Sequence, residues 1–429
     1  MFTLMIVIFV AGYIFIAMEH VIDVNKSATA LLLGVIVWTL GVGYMPEVRG
    51  DLVHHLGEVS EILFFLLGAM TIVETVDLYG GFRIITDRIG TTNKTFLLWI
   101  VSLLTFFMSA VLDNLTTSIL MVALLRKLAS NREERWFFAG VIILAANSGG
   151  AWSPIGDVTT IMLWISGKVS AGHIIGSTFL ASLVSLVVPL LILSFWMRGE
   201  VSRPVTVSEV GGHVVVRPWE RSLVFCVGIG ALLFVPIFKT VTHLPPYLGM
   251  LGGLGVLWVV TEFLTGRYVG REGSFLRIGD VLGRIDLSSI LFFLGILMAV
   301  NALSSCGQLS ALSSLLDGIP FVEPAKYYFI TSVIGLLSSI VDNVPLVAGA
   351  LKMYSEFPVD HYFWTFLAYT AGTGGSILII GSAAGVAVMG MEKIDFVWYL
   401  KKISLLALAG YLAGCGVYIL QETLLAAYI

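Results

Sequence analysis

Long apolar runs separated by short polar loops dominate the chain. A spanning helix needs roughly 20 apolar residues, and segments of that kind lie at 2–18, 27–45, 60–79, 173–197, 219–238, 247–264, 286–305 and 396–420. Four other apolar stretches are irregular. Two are pairs of short arms: 94–110 and 114–127 meet at Asp113-Asn114, and 325–340 and 343–355 meet at Asp342-Asn343. Arms this short are marginal for crossing a bilayer, which predicts re-entrant hairpins at 94–127 and 325–355 with tips inside the membrane. The other two stretches are broken by glycine. One, 136–167, is interrupted around Ser148-Gly-Gly-Ala-Trp-Ser-Pro154, and the other, 361–390, around Thr373-Gly-Gly375. Non-helical backbone at membrane depth persists only where protein or a water-filled cavity surrounds it.

The irregular stretches come in matching pairs. Ile62-Leu-Phe-Phe-Leu-Leu-Gly68 returns as Ile290-Leu-Phe-Phe-Leu-Gly295, and Ser109-Ala-Val-Leu-Asp-Asn114 returns as Ser338-Ser-Ile-Val-Asp-Asn343. Asn147-Ser-Gly-Gly150 followed by Gly156 returns as Gly372-Thr-Gly-Gly375 followed by Gly381. Three blocks in one order predict two homologous halves, 1–200 and 218–429, joined by a cytoplasmic linker at 201–217. Each half then holds three ordinary spans, a hairpin, a broken helix and a closing span.

Basic residues orient this plan. If each broken segment crosses once and each hairpin returns to its own side, only Arg49, Lys168, Lys239, Lys326 and Lys352 face outward. All other Lys and Arg, Lys26 among them, fall on the cytoplasmic side, as the positive-inside rule prefers. Both termini are then non-cytoplasmic, in a multi-pass protein of the cell (inner) membrane. The first hairpin opens inward and the second outward, an inverted repeat of the kind found in secondary transporters. The expected fold class is therefore an all-α polytopic membrane protein of two inverted-topology repeats.

Composition agrees and narrows the function. Of 429 residues, 58% are hydrophobic and 12% charged, against about 25% charged in a soluble domain. The net charge of −4 gives no sign of a nucleic-acid partner. Cys226, Cys306 and Cys415 lack metal-site or disulfide spacing. No nucleophile–base pair, zinc motif or phosphate loop marks an enzyme, and no cofactor is expected.

The polar residues of the oily segments gather at the hairpin tips and helix breaks. The first half supplies Ser109, Asp113, Asn114, Asn147, Asp157, Thr159 and Thr160; the second supplies Ser338, Asp342, Asn343 and Ser376, with Ser382 at the position matching Asp157. These are hard oxygen donors, suited to a hard cation such as Na⁺ or Li⁺ rather than a soft transition metal. Carbonyls freed at the helix breaks add ligands. Asp113, Asn114, Asn147 and Asp157 are the expected Na⁺ ligands. Because desolvation disfavours a charged carboxylate, one such group can hold either a cation or a proton, and that competition suffices for exchange. The first half offers the more acidic site, since Asp157 is matched by Ser382. An aspartate ahead of a helix is also an ordinary N-cap, so Asp113 and Asp342 admit a purely structural role. Glu58 and Glu61, expected near the outer end of the third span, suit a cation entry, a subunit contact or a solvated helix end.

The hairpin-plus-broken-helix plan resembles the ion transporter superfamily. Within it, Ser109-Ala-Val-Leu-Asp113-Asn114-Leu-Thr-Thr117 and Asn147-Ser-Gly-Gly-Ala-Trp-Ser-Pro154-Ile-Gly-Asp157-Val-Thr-Thr160 resemble the NhaD-type sodium/proton antiporters. The resemblance covers essentially the whole chain. It implies Na⁺(Li⁺)/H⁺ exchange, a homodimer with scaffold and transport regions, and elevator-like movement of the hairpins. The alternative is a sodium-coupled carboxylate or other anion symporter of the same superfamily. Aspartates at both tips, with no basic residue in either tip or break, disfavour an anionic cargo.

Overall fold

The computed structural model describes residues 2–82, 84, 89–202, 216–266 and 277–428. Most of the expected linker, 203–215, lies outside the described residues, as do Arg83, Arg88, Arg267 and Arg271 of the expected cytoplasmic face. Among the described residues the fold is helical, with no strand. Seven helices there are long and apolar enough to cross a membrane, and many large apolar side chains on them face outward, Val35, Phe195 and Phe263 among them. A helix set with an apolar exterior is a multi-pass membrane protein.

The first half runs α1 (Phe2–Ala17), α2 (Lys26–Tyr44), α3 (Asp51–Leu78), then short arms α4 (Lys94–Ser109) and α5 (Asn114–Leu128), the interrupted pair α6 (Arg132–Ala151) and α7 (Val158–Ile165), and α8 (Ala171–Trp196). The second runs α9 (Pro218–Thr242), α10 (Pro246–Thr265), α11 (Leu287–Ser305), α12 (Gln308–Asp317), arms α13 (Ala325–Leu337) and α14 (Asn343–Met353), the pair α15 (Tyr362–Gly374) and α16 (Ala383–Glu392), then α17 (Phe396–Lys402) and α18 (Ser404–Tyr428). Packing pairs one half with the other: α2 with α11, α3 with α10, α8 with α18, α5 with α16 and α14 with α7.

Several boundaries differ from the sequence reading. Most of the glycines expected to break the sixth and fifteenth helices are helical: α6 continues through Gly149 and Gly150, and α15 through Gly374, with Gly375 just outside as its C-cap. The interruptions overlap the expected stretches but begin and end later, between Ala151 and Val158 and between Gly374 and Ala383. These glycines serve close approach instead. A Cβ on Gly149 would overlap the carbonyl oxygen of Phe106 in α4, and one on Gly374 would overlap that of Gly335 in α13. Beyond each break the contact is repeated, with a Cβ on Gly156 coming within 2.5 Å of Ser109 O and one on Gly381 within 2.5 Å of Ser339 O. The hairpins and the broken helices thus touch backbone to backbone in both halves.

The third span begins at Asp51 rather than residue 60, so Glu58 and Glu61 sit within α3. Ion pairing holds the charged turns in the helix: Glu58 Oε2 takes Lys352 Nζ at 2.8 Å and His55 Nδ1 at 2.9 Å. The closing span expected at 396–420 is divided at Ile403 into α17 and α18. The helix α12 was not anticipated, because its serine-rich sequence lacks a long apolar run. Cys226 is exposed and Cys306 and Cys415 are buried, all three as free thiols.

One buried ion cluster fastens the end of the site region. Glu392, closing α16, is buried and takes Arg126 Nε of α5 at 2.6 Å and Arg135 Nε of α6 at 3.0 Å. Removing an acid from beneath two cations leaves their charge uncompensated. Since both arginines retain solvent contact, Glu392→Gln is expected to cost about 1–3 kcal/mol, read as a lowered unfolding midpoint of the detergent-solubilised protein.

Candidate cation-binding site

The polar residues picked from the sequence are brought together by four helix starts. Asp113 caps α5, Asp157 caps α7, Asp342 caps α14 and Ser382 caps α16, each side chain accepting from a backbone N–H of its own first turn. Helix N-termini carry partial positive charge, so this region can hold negative charge that bare hydrocarbon would not tolerate. Hydroxyls fix the tips in place. Ser109 Oγ donates to Ala146 O at 2.6 Å and Ser338 Oγ donates to Ala371 O at 2.8 Å, tying each hairpin to the neighbouring broken helix.

Asp157 is the hub. Only 1% exposed, it accepts at Oδ1 from Thr159 N and Thr159 Oγ1, both at 2.9 Å, and from Asn343 Nδ2 at 3.3 Å; Oδ2 accepts from Asn114 Nδ2 at 2.7 Å. Asn114 begins the second arm of one hairpin and Asn343 that of the other, so amides from both tips converge on one carboxylate. Thr160 completes a capping box, its Oγ1 accepting from Asp157 N at 3.3 Å, and also donates to Asp157 O at 2.8 Å. Asn114 Nδ2 also donates to Asn147 Oδ1 at 3.0 Å, while Asn147 Nδ2 donates to Ser376 Oγ and Ser382 Oγ, both at 2.9 Å. The connected set is therefore Asn114, Asn147, Asp157, Thr159, Thr160, Asn343, Ser376 and Ser382. It is closed off from behind by Tyr399, whose hydroxyl donates to Ser376 O at 2.8 Å.

Asp113 and Asp342 are held differently. Asp113 accepts from Thr116 N at 2.7 Å and Thr116 Oγ1 at 2.6 Å, the N-cap arrangement, while lining a cavity of about 50 Å³ beside Asn114. Asp342 Oδ1 accepts from Val344 N at 3.2 Å, and its Oδ2 lies 3.6 Å from Lys26 Nζ. No basic residue lies within either tip or break, but this lysine reaches the second tip from another helix. Lys26 opens α2 far from the tips in sequence, and nothing local in the chain marks it as a neighbour of Asp342.

A larger cavity, about 520 Å³, lies against α3, α7 and α14, bordered by Glu58, Glu61, Lys168, Asn301 and Lys352 and reaching Met162 and Ile165 of α7. Glu58 and Glu61 thus line this cavity.

Comparisons with known proteins bear on what this site handles. A family profile described as a citrate transporter, CitMHS, matches residues 13–374. The chain is 48% identical over 98% of its length to Sodium/proton antiporter 1 of Arabidopsis thaliana, covering 72% of that protein, and 45% identical to Sodium/proton antiporter 2 of the same plant, covering 98%. It is also 32% identical over 97% of its length to the Na(+)/H(+) antiporter NhaD of Vibrio cholerae, covering 91%. The chain belongs to the NhaD-type antiporter family. The resemblance carried by the Asp113 and Asp157 stretches thus extends over almost the whole chain. As members of a transporter family, NhaD-type proteins move ions as cargo, and no cofactor is indicated.

Proposed function

We propose that this protein exchanges Na⁺ or Li⁺ for H⁺ across the cell membrane, with the cation and the proton competing for Asp157. The observation that carries the reading is the convergence of Asn114 and Asn343, one from each hairpin, on a buried carboxylate. As the residues are arranged, the Asn114 and Asn343 amides donate to Asp157. Rotation of the Asn114 and Asn343 amides by half a turn replaces NH₂ by a carbonyl oxygen beside Asn147 Oδ1, which already faces Asn114, so these three oxygens, the threonine hydroxyls and Asp157 form an oxygen cage for a dehydrated alkali cation. A proton on Asp157 turns one carboxyl oxygen into a donor and removes the charge that holds the cation, so the two exclude each other. Asp113 and Asp342 contribute negative potential at the tips and, for Asp113, a ligand reached through its cavity. Relatives named as sodium/proton antiporters support the same exchange.

The wider plan follows the paired packing. Matching caps and matching glycine contacts in residues 1–200 and 218–429 support two inverted repeats with re-entrant tips. The helices outside the hairpins and broken pairs form the scaffold against which the site region moves, elevator-fashion, in alternating access. Both termini then lie on the non-cytoplasmic side.

The experiment is proton flux in proteoliposomes carrying an imposed pH gradient. Adding Na⁺ or Li⁺ dissipates the gradient, and Asp113→Asn lowers the maximal rate about tenfold, on the scale of one displaced ligand charge. No response to either ion contradicts the reading. A second reading, sodium-coupled carboxylate uptake, draws on the citrate description of the family profile and on Lys26 beside a tip. Sodium-dependent accumulation of labelled citrate would establish it in place of exchange.

A further inference from the structure

Lys26 is a cation among acids, and the exchange cycle above leaves it without a task. Its ammonium lies 3.6 Å from Asp342 Oδ2 and 4.5 Å from the centroid of the Phe292 ring. The side chain borders two cavities: that of about 50 Å³ beside Asp113 and Asn114, and another of about 40 Å³ beside Asp342, Tyr13 and Glu19. Among the described residues no other Lys or Arg lines either space. A separation of 3.6 Å exceeds the roughly 2.7–2.9 Å of a directed charge-assisted bond, so charge and the aromatic face hold the ammonium, on a flexible stem.

The two partners belong to different parts of the molecule. Lys26 begins α2, which packs along α11, whereas Asp342 caps the second arm of a hairpin. Glu19, whose Oε1 accepts from Lys26 N at 3.0 Å, lines the same small cavity as a second acid. We propose that Lys26 is a tethered counter-cation that occupies Asp342 in the sodium-free carrier and yields it to arriving Na⁺. It is a positioning residue: an intramolecular competitor that sets sodium affinity and keeps Asp342 from standing uncompensated when the carrier is empty. The proposal rests on the antiport reading, because it needs Na⁺ to visit Asp342.

Equilibrium binding of radioactive sodium to the purified full-length protein tests it without requiring transport. Lys26→Gln is expected to lower the half-saturating Na⁺ concentration about fivefold, the scale of one partly screened ion pair. Lys26→Arg retains the wild-type value. In an Asp342→Asn background the Lys26→Gln change has no further effect, a coupling that a merely structural role would not produce. Proteoliposomes then show the change in the half-saturating concentration rather than in the maximal rate. Unchanged or weaker sodium binding in Lys26→Gln overturns the proposal, as does an equal gain when Asp342 is already neutral. Wild-type protein that binds no sodium at all overturns the antiport reading itself, a distinguishable result.

Discussion

Asp157→Asn is expected to reduce sodium-driven proton flux at least a hundredfold while leaving the protein folded. Asparagine has the same shape, and its Oδ1 can still accept from Thr159 N and Oγ1, so the cap on α7 survives. What disappears is the one charge at the centre of the connected set, together with the one group there that can carry the exchanged proton. Losing a full charge against a dehydrated cation in a site 1% exposed is worth about 3 kcal/mol or more, or roughly two decades. The same substitution at Asp113 acts through a carboxylate already engaged by Thr116, and its effect is correspondingly smaller. The check is flux in proteoliposomes alongside the elution profile of the purified variant. Equal losses at residues 113 and 157 would move the hub away from Asp157.

The second large effect is structural. Gly374→Ala places a methyl group on top of the Gly335 carbonyl, where α13 and α15 meet backbone to backbone. Nothing there is the end of a flexible side chain, so either the hairpin or the broken helix must shift, at a cost of about 3 kcal/mol or more. Because Ser338 and Ser376 flank this crossing, the shift also pulls apart the hydrogen bonds around Asn147. The internal control is Gly349→Ala on α14, where an added methyl meets nothing within 4 Å and helix propensity favours alanine by up to about 1 kcal/mol. Unfolding midpoints of the two variants in detergent should move in opposite directions.

These contacts explain how far the sequence could be read. Apolar run length located most of the long apolar helices because hydrocarbon thickness sets it, and matching blocks pointed to the short helix pairs and to the presence of an interruption in each half. Asn114, Asn147, Asp157, Thr159, Thr160, Asn343 and Ser376 were all legible as polar residues in oily surroundings, and they meet in one hydrogen-bonded set. The positions of the breaks were not, because glycine in a helix serves as readily for close packing as for interruption. Gly149 and Gly374 do the former. The start of α3 was missed because polar turns bearing His54, His55 and Glu58 look like loop until the partner Lys352, nearly three hundred residues away, is present. Lys26 and Glu392 were invisible for the same reason: their partners Asp342, Arg126 and Arg135 are brought near only by the fold.

The central claim is that a sodium ion and a proton exclude each other at Asp157. Equilibrium sodium binding to the purified protein as a function of pH measures this directly. Competition for one proton requires that, through the acidic range, each unit of falling pH raises the half-saturating Na⁺ concentration about tenfold, and that Asp157→Asn loses the pH-dependent binding. Sodium affinity that stays level as pH falls, or a wild-type titration in the Asp157→Asn protein, would contradict the account.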